Sequence, residues 1–226
     1  MISIIIPTYQ EHESLDGFLK YLIANSSDHI HEIIVVDATN CNLTRQITKA
    51  NGCLFLTPGK GRAVQMNAGA KKANGEVLYF LHADSYPPKH FDLAIMESIE
   101  QHNGAGCFYM GFDSKHPVLK ASGWLTRFGS NWCRGGDQSL YIKKPLFKEI
   151  GGFNETCIIL EDSEIIPRIK KETKFKVIPQ KLTTSARRYR DNGVFRLQLL
   201  FGIIHVGYRM GISQNSLLEF YKKHIN

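Results

Sequence analysis

At 226 residues, with 43% hydrophobic and 22% charged side chains, the chain is long enough to bury a sizeable core, and its composition excludes a fibre, a repeat array or a disordered tail. Lysine and arginine outnumber aspartate and glutamate by 28 to 21, and the resulting net charge of +7 favours an anionic partner such as a nucleotide, a nucleic acid or an acidic lipid surface. Five cysteines, an odd number with no C-x-x-C pair, point away from a disulfide framework or a zinc site and toward a reducing, cytoplasmic setting.

The N-terminus enters the apolar run Ile2 to Ile6 without a basic leader, and Pro7 ends that run, so no export signal is expected. Ser3–Ile6, Glu32–Asp37, Cys53–Leu56 and Val77–Leu81 are short apolar runs of the kind that form strands covered on both faces. Between them, Leu15, Phe18, Leu19, Leu22 and Ile23 repeat at helical spacing, as do Ala63, Met66, Ala70 and Ala73 more weakly. The order β-α-β-α-β-α-β predicts right-handed crossovers and a parallel sheet, with its ligand crevice at the carboxyl ends of the strands. Those ends read Pro7-Thr8-Tyr9, Asp37-Ala38-Thr39 and His82-Ala83-Asp84.

Beyond Asp84 the pattern is less regular. Strands are expected at Cys107–Phe112 and Ser139–Ile142, flanking an aromatic-rich stretch that contains Trp124, Phe128 and Trp132. A helix should follow Glu161, then a strand at Lys174–Ile178, the basic segment Arg187-Arg188-Tyr189-Arg190 and two closing helices. The apolar stretch Val194–Ile212 carries Arg196, Gln198, His205 and Arg209, too polar to span a bilayer unassisted.

Each chemical candidate has a plainer alternative. Asp84, followed by Ser-Pro-Pro, opens a loop naturally, yet a carboxylate after a buried strand can hold Mg²⁺ or Mn²⁺ together with diphosphate oxygens. Asp37 either caps a turn or holds a nucleotide's ribose or base edge. Lys60 and Arg62, in a glycine-flanked loop before a helix, can face phosphate or simply solvent. Glu161 and Asp162 suit a helix N-terminus, and a carboxylate there could also take the proton of a sugar hydroxyl, with Asp162 as the base. Gly136, Asp137 and Gln138 fit a turn or the hydroxyls of a sugar, and Arg187 and Arg188 fit a solvated face or a diphosphate clamp.

Taken together, these residues resemble the family 2 glycosyltransferases, and especially a short single-domain bacterial branch. Ile4-Ile-Ile-Pro-Thr-Tyr-Gln-Glu11 is similar to that family's first strand and nucleotide loop, Val35-Val-Asp37 to its second, and Gly59-Lys-Gly-Arg-Ala-Val-Gln-Met-Asn-Ala-Gly69 to the branch's most distinctive segment. Phe80-Leu-His-Ala-Asp84 resembles the metal motif, with His82 where many relatives carry a first acid. Gly135-Gly-Asp-Gln138 and Ile150-Gly-Gly-Phe153 resemble the acceptor-side block, and Leu160-Glu-Asp162 the acid pair.

The resemblance implies a GT-A fold: an α/β, Rossmann-like, mostly parallel sheet with helices on both faces and a C-terminal helical extension. Residues 1–190 would form the catalytic domain, with 1–104 the nucleotide half and 105–190 the acceptor half, and 191–226 the extension. It implies an inverting, metal-dependent (Mn²⁺ or Mg²⁺) transfer from a nucleotide diphosphate sugar, UDP-sugar foremost. Thr8, Glu11, Asp37 and Arg62 would bind the nucleotide, with Pro7, Tyr9, Lys60, Gly136, Asp137, Gln138, Arg187 and Arg188 as further substrate contacts. Asp84 would hold the metal, and Asp162, beside Glu161, would deprotonate the acceptor. Nucleotidyl transfer and a non-catalytic nucleotide-sugar module are the alternatives. Nucleic acid is not expected, because the basic residues are scattered. A helix over the late apolar stretch places Gln198, Gly202, His205 and Arg209 on one face and Phe195, Leu199, Leu200, Ile203 and Ile204 elsewhere. Such a helix suits docking on the core, a second subunit, or peripheral contact with a membrane carrying a lipid-linked or envelope acceptor.

Overall fold

The computed structural model describes residues 1–131 and 138–225. Its first half follows the expected alternation: β1 (Ile2–Thr8), α1 (His12–Asn25), β2 (Ile30–Asp37), α2 (Asn42–Ala50), β3 (Leu54–Leu56), α3 (Arg62–Lys72) and β4 (Val77–Phe80). The four strands lie parallel in the order β3-β2-β1-β4. Alternation along β1 explains why both faces are covered. Ile2, Ile4 and Ile6 pack with Leu15, Phe18, Leu19 and Leu22 of α1, while Ile5 joins Ala63, Met66 and Ala70 of α3 on the other side. A Cβ built on Gly69 would stand 2.5 Å from Ile5 Cγ2, so this glycine lets α3 lie close against the sheet.

The remaining elements are β5 (Ser85–Tyr86), α4 (Phe91–Glu100), β6 (Ala105–Phe112), α5 (Pro117–Leu125), β7 (Leu140–Lys143), α6 (Lys144–Glu149), α7 (Glu161–Glu172) and β8 (Phe175–Thr184). β7 pairs antiparallel with β4 and β6, β8 runs parallel to β6, and β5 closes the far edge antiparallel to β8. The eight-stranded order is β3-β2-β1-β4-β7-β6-β8-β5, a mixed sheet whose parallel half carries the strand ends named above. β8 extends well past the expected Ile178 because its middle, Pro179 to Lys181, is exposed and polar, which hides the strand from an apolar-run reading. Of the aromatic-rich stretch, Trp124 lies in a helix, α5, entered through Pro117 with His116 Nδ1 accepting from the Val118 amide; Phe128 follows that helix, and Trp132 lies outside the described residues.

The chain ends with α8 (Arg187–Asn192), α9 (Val194–Arg209) and α10 (Gln214–His224). The basic segment is therefore helical, and the expected boundary at residue 190 falls within α8. α9 buries Leu197, Leu200 and Ile204 against Phe112, Leu119 and Tyr189. Its broad apolar side is thus split: Leu200 and Ile204 face the core, while Phe195, Leu199 and Ile203 are exposed. Among the described residues, no helix is long and apolar enough to cross a membrane.

Candidate functional site

The carboxyl ends of β1 and β2 are joined by side chains. Asp37 is fully buried; its Oδ1 accepts from Thr8 Oγ1 at 3.2 Å, and its Oδ2 accepts from the Thr39 amide, Thr39 Oγ1 and the Cys41 amide at 3.3, 2.8 and 2.9 Å. The carboxylate thus organises the turn after β2, the plainer of its two readings, at the mouth of the crevice. Gln65, buried on α3, donates to the carbonyls of both Thr8 and Val36, at 2.9 and 2.6 Å. Sequence reasoning passed over Gln65; the signal was an amide among the buried positions Ala63, Met66, Gly69 and Ala70 of one helix.

Four charged groups converge above these ends. Burial and then the negative charge of Asp84 push the Glu11 carboxyl above its ordinary range; the Tyr9 amide and the Arg62 and Arg187 guanidinium groups pull the other way. Glu11 opens α1, Asp84 follows β4, Arg62 begins α3 and Arg187 begins α8, so four separate segments bring their charges to one place. Asp84 Oδ1 accepts from Ser85 Oγ at 3.3 Å, and Ser85 Oγ in turn donates to Thr184 Oγ1 at 3.2 Å, which ties the loop to the end of β8. Pro7 and Thr8 are buried in β1, whereas Tyr9 and Lys60 are exposed on the two flanking loops. Arg188 is exposed on α8, and its carbonyl accepts from Asn192 Nδ2; Arg187 is the member of the basic segment whose charge reaches Glu11.

The donor set bears on the implied metal. The charge of Asp84 raises the proton affinity of Glu11, and a hard cation would relieve that repulsion. Among the described residues, no group of three or more His, Cys, Asp or Glu is placed to hold a metal alone. Such a site fits an ion of the Mg²⁺ type, which takes one or two carboxylates and completes its shell with substrate phosphates and water.

The acid pair opens α7. Glu161 is buried at the start of α7 and pairs with Arg62, Oε1 to Nη1 at 3.4 Å. Asp162 and the buried Gln138 line one small pocket together with Ser139, Leu140, Cys107, Ile166 and Phe175. Gly136 and Asp137 lie outside the described residues. Two further side chains, both missed in the sequence, fix the approach to α7. Asn67 of α3 exchanges hydrogen bonds with the amide and carbonyl of Phe153, each 2.9 Å, fastening the Ile150–Phe153 block to α3. Gln214 Oε1, at the start of α10, accepts from the Ile158 and Ile159 amides, each 3.0 Å. Leu160, the next residue, holds a left-handed conformation at φ +62° where α7 begins.

The raised Glu11 carboxyl gives a pH prediction. A carboxyl with a higher proton affinity when folded lends its full stability below its ordinary value of 4.5 and loses it as pH rises through the folded value. Glu11→Gln cannot ionise, so its melting temperature should exceed the parent's near neutral pH, with the gain vanishing near about pH 4. A gain of equal size at both pH values in thermal unfolding would contradict this account.

A family model described as Glycosyl transferase family 2 matches residues 3–153, well over half of the chain. A Haemophilus influenzae protein named as an uncharacterized glycosyltransferase is 26% identical over 191 residues, covering 77% of this chain and 64% of that protein. Among solved structures, S. aureus TarS 1–349 matches with a TM-score of 0.65 at 19% identity, covering 87% of this chain and 63% of that one; it has also been solved with UDP and with UDP-GlcNAc. The mannosyltransferase PcManGT from Pyrobaculum calidifontis, in complex with GDP-Man and Mn²⁺, matches with a TM-score of 0.67 at 16% identity, covering 97% and 69%. These structural likenesses speak for the fold, which is of the GT-A type. The chain spans just under two thirds of the H. influenzae relative and of TarS 1–349. With the family match running from β1 through the Ile150–Phe153 block, the chain belongs to glycosyl transferase family 2.

Proposed function

We propose that the protein transfers a sugar from a nucleoside diphosphate sugar, a UDP-sugar foremost, to an acceptor hydroxyl with inversion at the anomeric carbon. The observation that carries this reading is the convergence of Glu11, Asp84, Arg62 and Arg187 at the ends of β1 and β4, with Arg62 paired to the residue before Asp162. The nucleotides held by TarS and PcManGT support the donor class. Residues 1–190 are the proposed catalytic unit, and 191–226 its extension.

In this reading Pro7, Thr8, Tyr9, Glu11 and Asp37 cradle the nucleoside, while Lys60, Arg62, Arg187 and Arg188 face the diphosphate, where guanidinium groups bind two oxygens at once. Asp84 would hold Mn²⁺ or Mg²⁺, which when bound offsets the charge of the diphosphate. Gln138, with Gly136 and Asp137, meets sugar hydroxyls. Asp162 accepts the proton of the acceptor hydroxyl as its oxygen bonds to the anomeric carbon. The bond from that carbon to the diphosphate breaks, and the nucleoside diphosphate leaves with the electron pair. A single displacement inverts the configuration. The acceptor we propose is a lipid-linked or envelope glycan, reached from the cytoplasm through peripheral membrane contact.

Incubation with a panel of UDP-sugars, Mn²⁺ and lipid-extract acceptors tests the reaction class. Release of UDP with an inverted product, read by NMR, is the expected result. Release of pyrophosphate, or a product that keeps the donor's anomeric configuration, would overturn it.

A further inference from the structure

α9 presents a second face that its own core leaves uncovered. Phe195, Leu199, Ile203, Val206 and Met210 are 72%, 67%, 46%, 45% and 78% exposed. At 100° per residue they occupy an arc of about 80°, and Gly202, also exposed, lies at its edge. Arg196 borders one side of that arc and Arg209 the other, and Val194–Arg209 contains no aspartate or glutamate. The buried stripe of Leu197, Leu200 and Ile204 stands opposite, so docking on the core leaves the outer stripe in water.

The surface extends beyond α9. The ring contact His116–Phe195, the Gln198–Ser122 hydrogen bond and the Arg209–Asn131 hydrogen bond run α5 and the segment after it alongside α9. That neighbour adds Trp124 and Phe128, 53% and 49% exposed and stacked edge to face at 5.1 Å. Arg196 donates to the His224 carbonyl, which places the exposed Lys222 and Lys223 near the same border.

We propose that this face of α9 and α5 rests on the surface of an anionic lipid leaflet, with the apolar stripe in the headgroup and acyl boundary and the bordering cations on lipid phosphates. This locates the peripheral contact proposed above, and it does not depend on the transfer mechanism. An apolar arc edged by arginine on both sides matches such a surface in charge. Self-pairing of two copies brings cationic borders against each other. At 16 residues, about 24 Å, α9 is too short to span the hydrocarbon core, so it lies along the surface. Gln214 ties the same hairpin to the loop before Glu161 and Asp162, so lipid contact bears on the acceptor side of the crevice.

Vesicle flotation of the full chain tests the proposal. We expect capture on phosphatidylglycerol–phosphatidylcholine vesicles, weak capture on phosphatidylcholine alone, and release as salt rises. Leu199→Asp with Met210→Asp should reduce capture roughly tenfold or more, and Arg196→Gln or Arg209→Gln roughly fivefold each on anionic vesicles, the equivalent of about 1 kcal/mol per cation. Unchanged circular dichroism and an unchanged thermal shift with nucleotide sugar keep these exposed-site variants interpretable, and that shift reports on the donor site separately. Absence of capture on anionic vesicles, or equal capture of the Leu199→Asp/Met210→Asp protein, would overturn the proposal. So would a dimer in light scattering that the same variant dissolves.

Discussion

Asp162→Asn is expected to lower sugar transfer by roughly 10²–10⁴-fold, the range contributed by a positioned general base, while donor binding stays near the parental level. Asparagine keeps the shape of the side chain in the first turn of α7 and the pocket shared with Gln138, so the fold and the Arg62–Glu161 pair persist. What is lost is the capacity to accept a proton. The neighbouring substitution should behave differently. Glu161→Gln removes the charge from a buried partner of Arg62 and frees the guanidinium to move within the proposed diphosphate cradle. Its effect should fall first on the donor Michaelis constant and on stability, with a smaller loss in kcat. Steady-state kinetics with both variants separates the two roles: transfer by Asp162→Asn at the parental rate would remove Asp162 as the base, and a pure kcat loss in Glu161→Gln would remove the positioning role from Glu161.

The sequence made the parallel β1–β4 half legible because its strands are covered on both faces. Ile4–Ile6 and Ile33–Val36 are continuous apolar runs, and Pro7-Thr8 after the first and Asp37 after the second mark where each strand reaches the crevice. The half after Asp84 was harder for a physical reason. β8 passes through three exposed positions in a row, Pro179 to Lys181, and of the aromatic residues that marked the stretch before β7 only Trp124 lies in α5. The contacts that assemble the site are also remote in sequence. Arg62 and Glu161 lie 99 positions apart, and Asn67 and Phe153 lie 86 apart, so no local pattern announces either pairing. The same holds among the arginines. Nothing in Arg187-Arg188 distinguishes the two, yet helical geometry turns their side chains in different directions and brings the Arg187 charge to Glu11. On α9 the period revealed an apolar helix, but only packing against Phe112 and Tyr189 decided which apolar residues face inward.

Asp84→Asn should abolish the metal-dependent part of nucleotide binding. The parent is expected to show a thermal shift with UDP that grows when Mn²⁺ is added, because ligand bound to the folded state stabilises it by mass action. In the variant the Mn²⁺ increment should disappear, and turnover should fall by roughly a hundredfold or more, corresponding to several kcal/mol of charge stabilisation. A second readout needs no nucleotide. Asp84 is the largest charge raising the Glu11 carboxyl, after burial itself. Removing that charge should therefore lower the proton affinity of Glu11 and relieve its penalty at neutral pH. The stability gained by Glu11→Gln should then be smaller in the Asp84→Asn background than in the parent, a coupling that a double-mutant cycle in thermal unfolding measures directly. The cycle and the UDP titration fail independently. Strict additivity would mean that the two carboxylates do not share one site. An equal Mn²⁺ increment in parent and variant would mean that the cation is held elsewhere, however close the carboxylates stand.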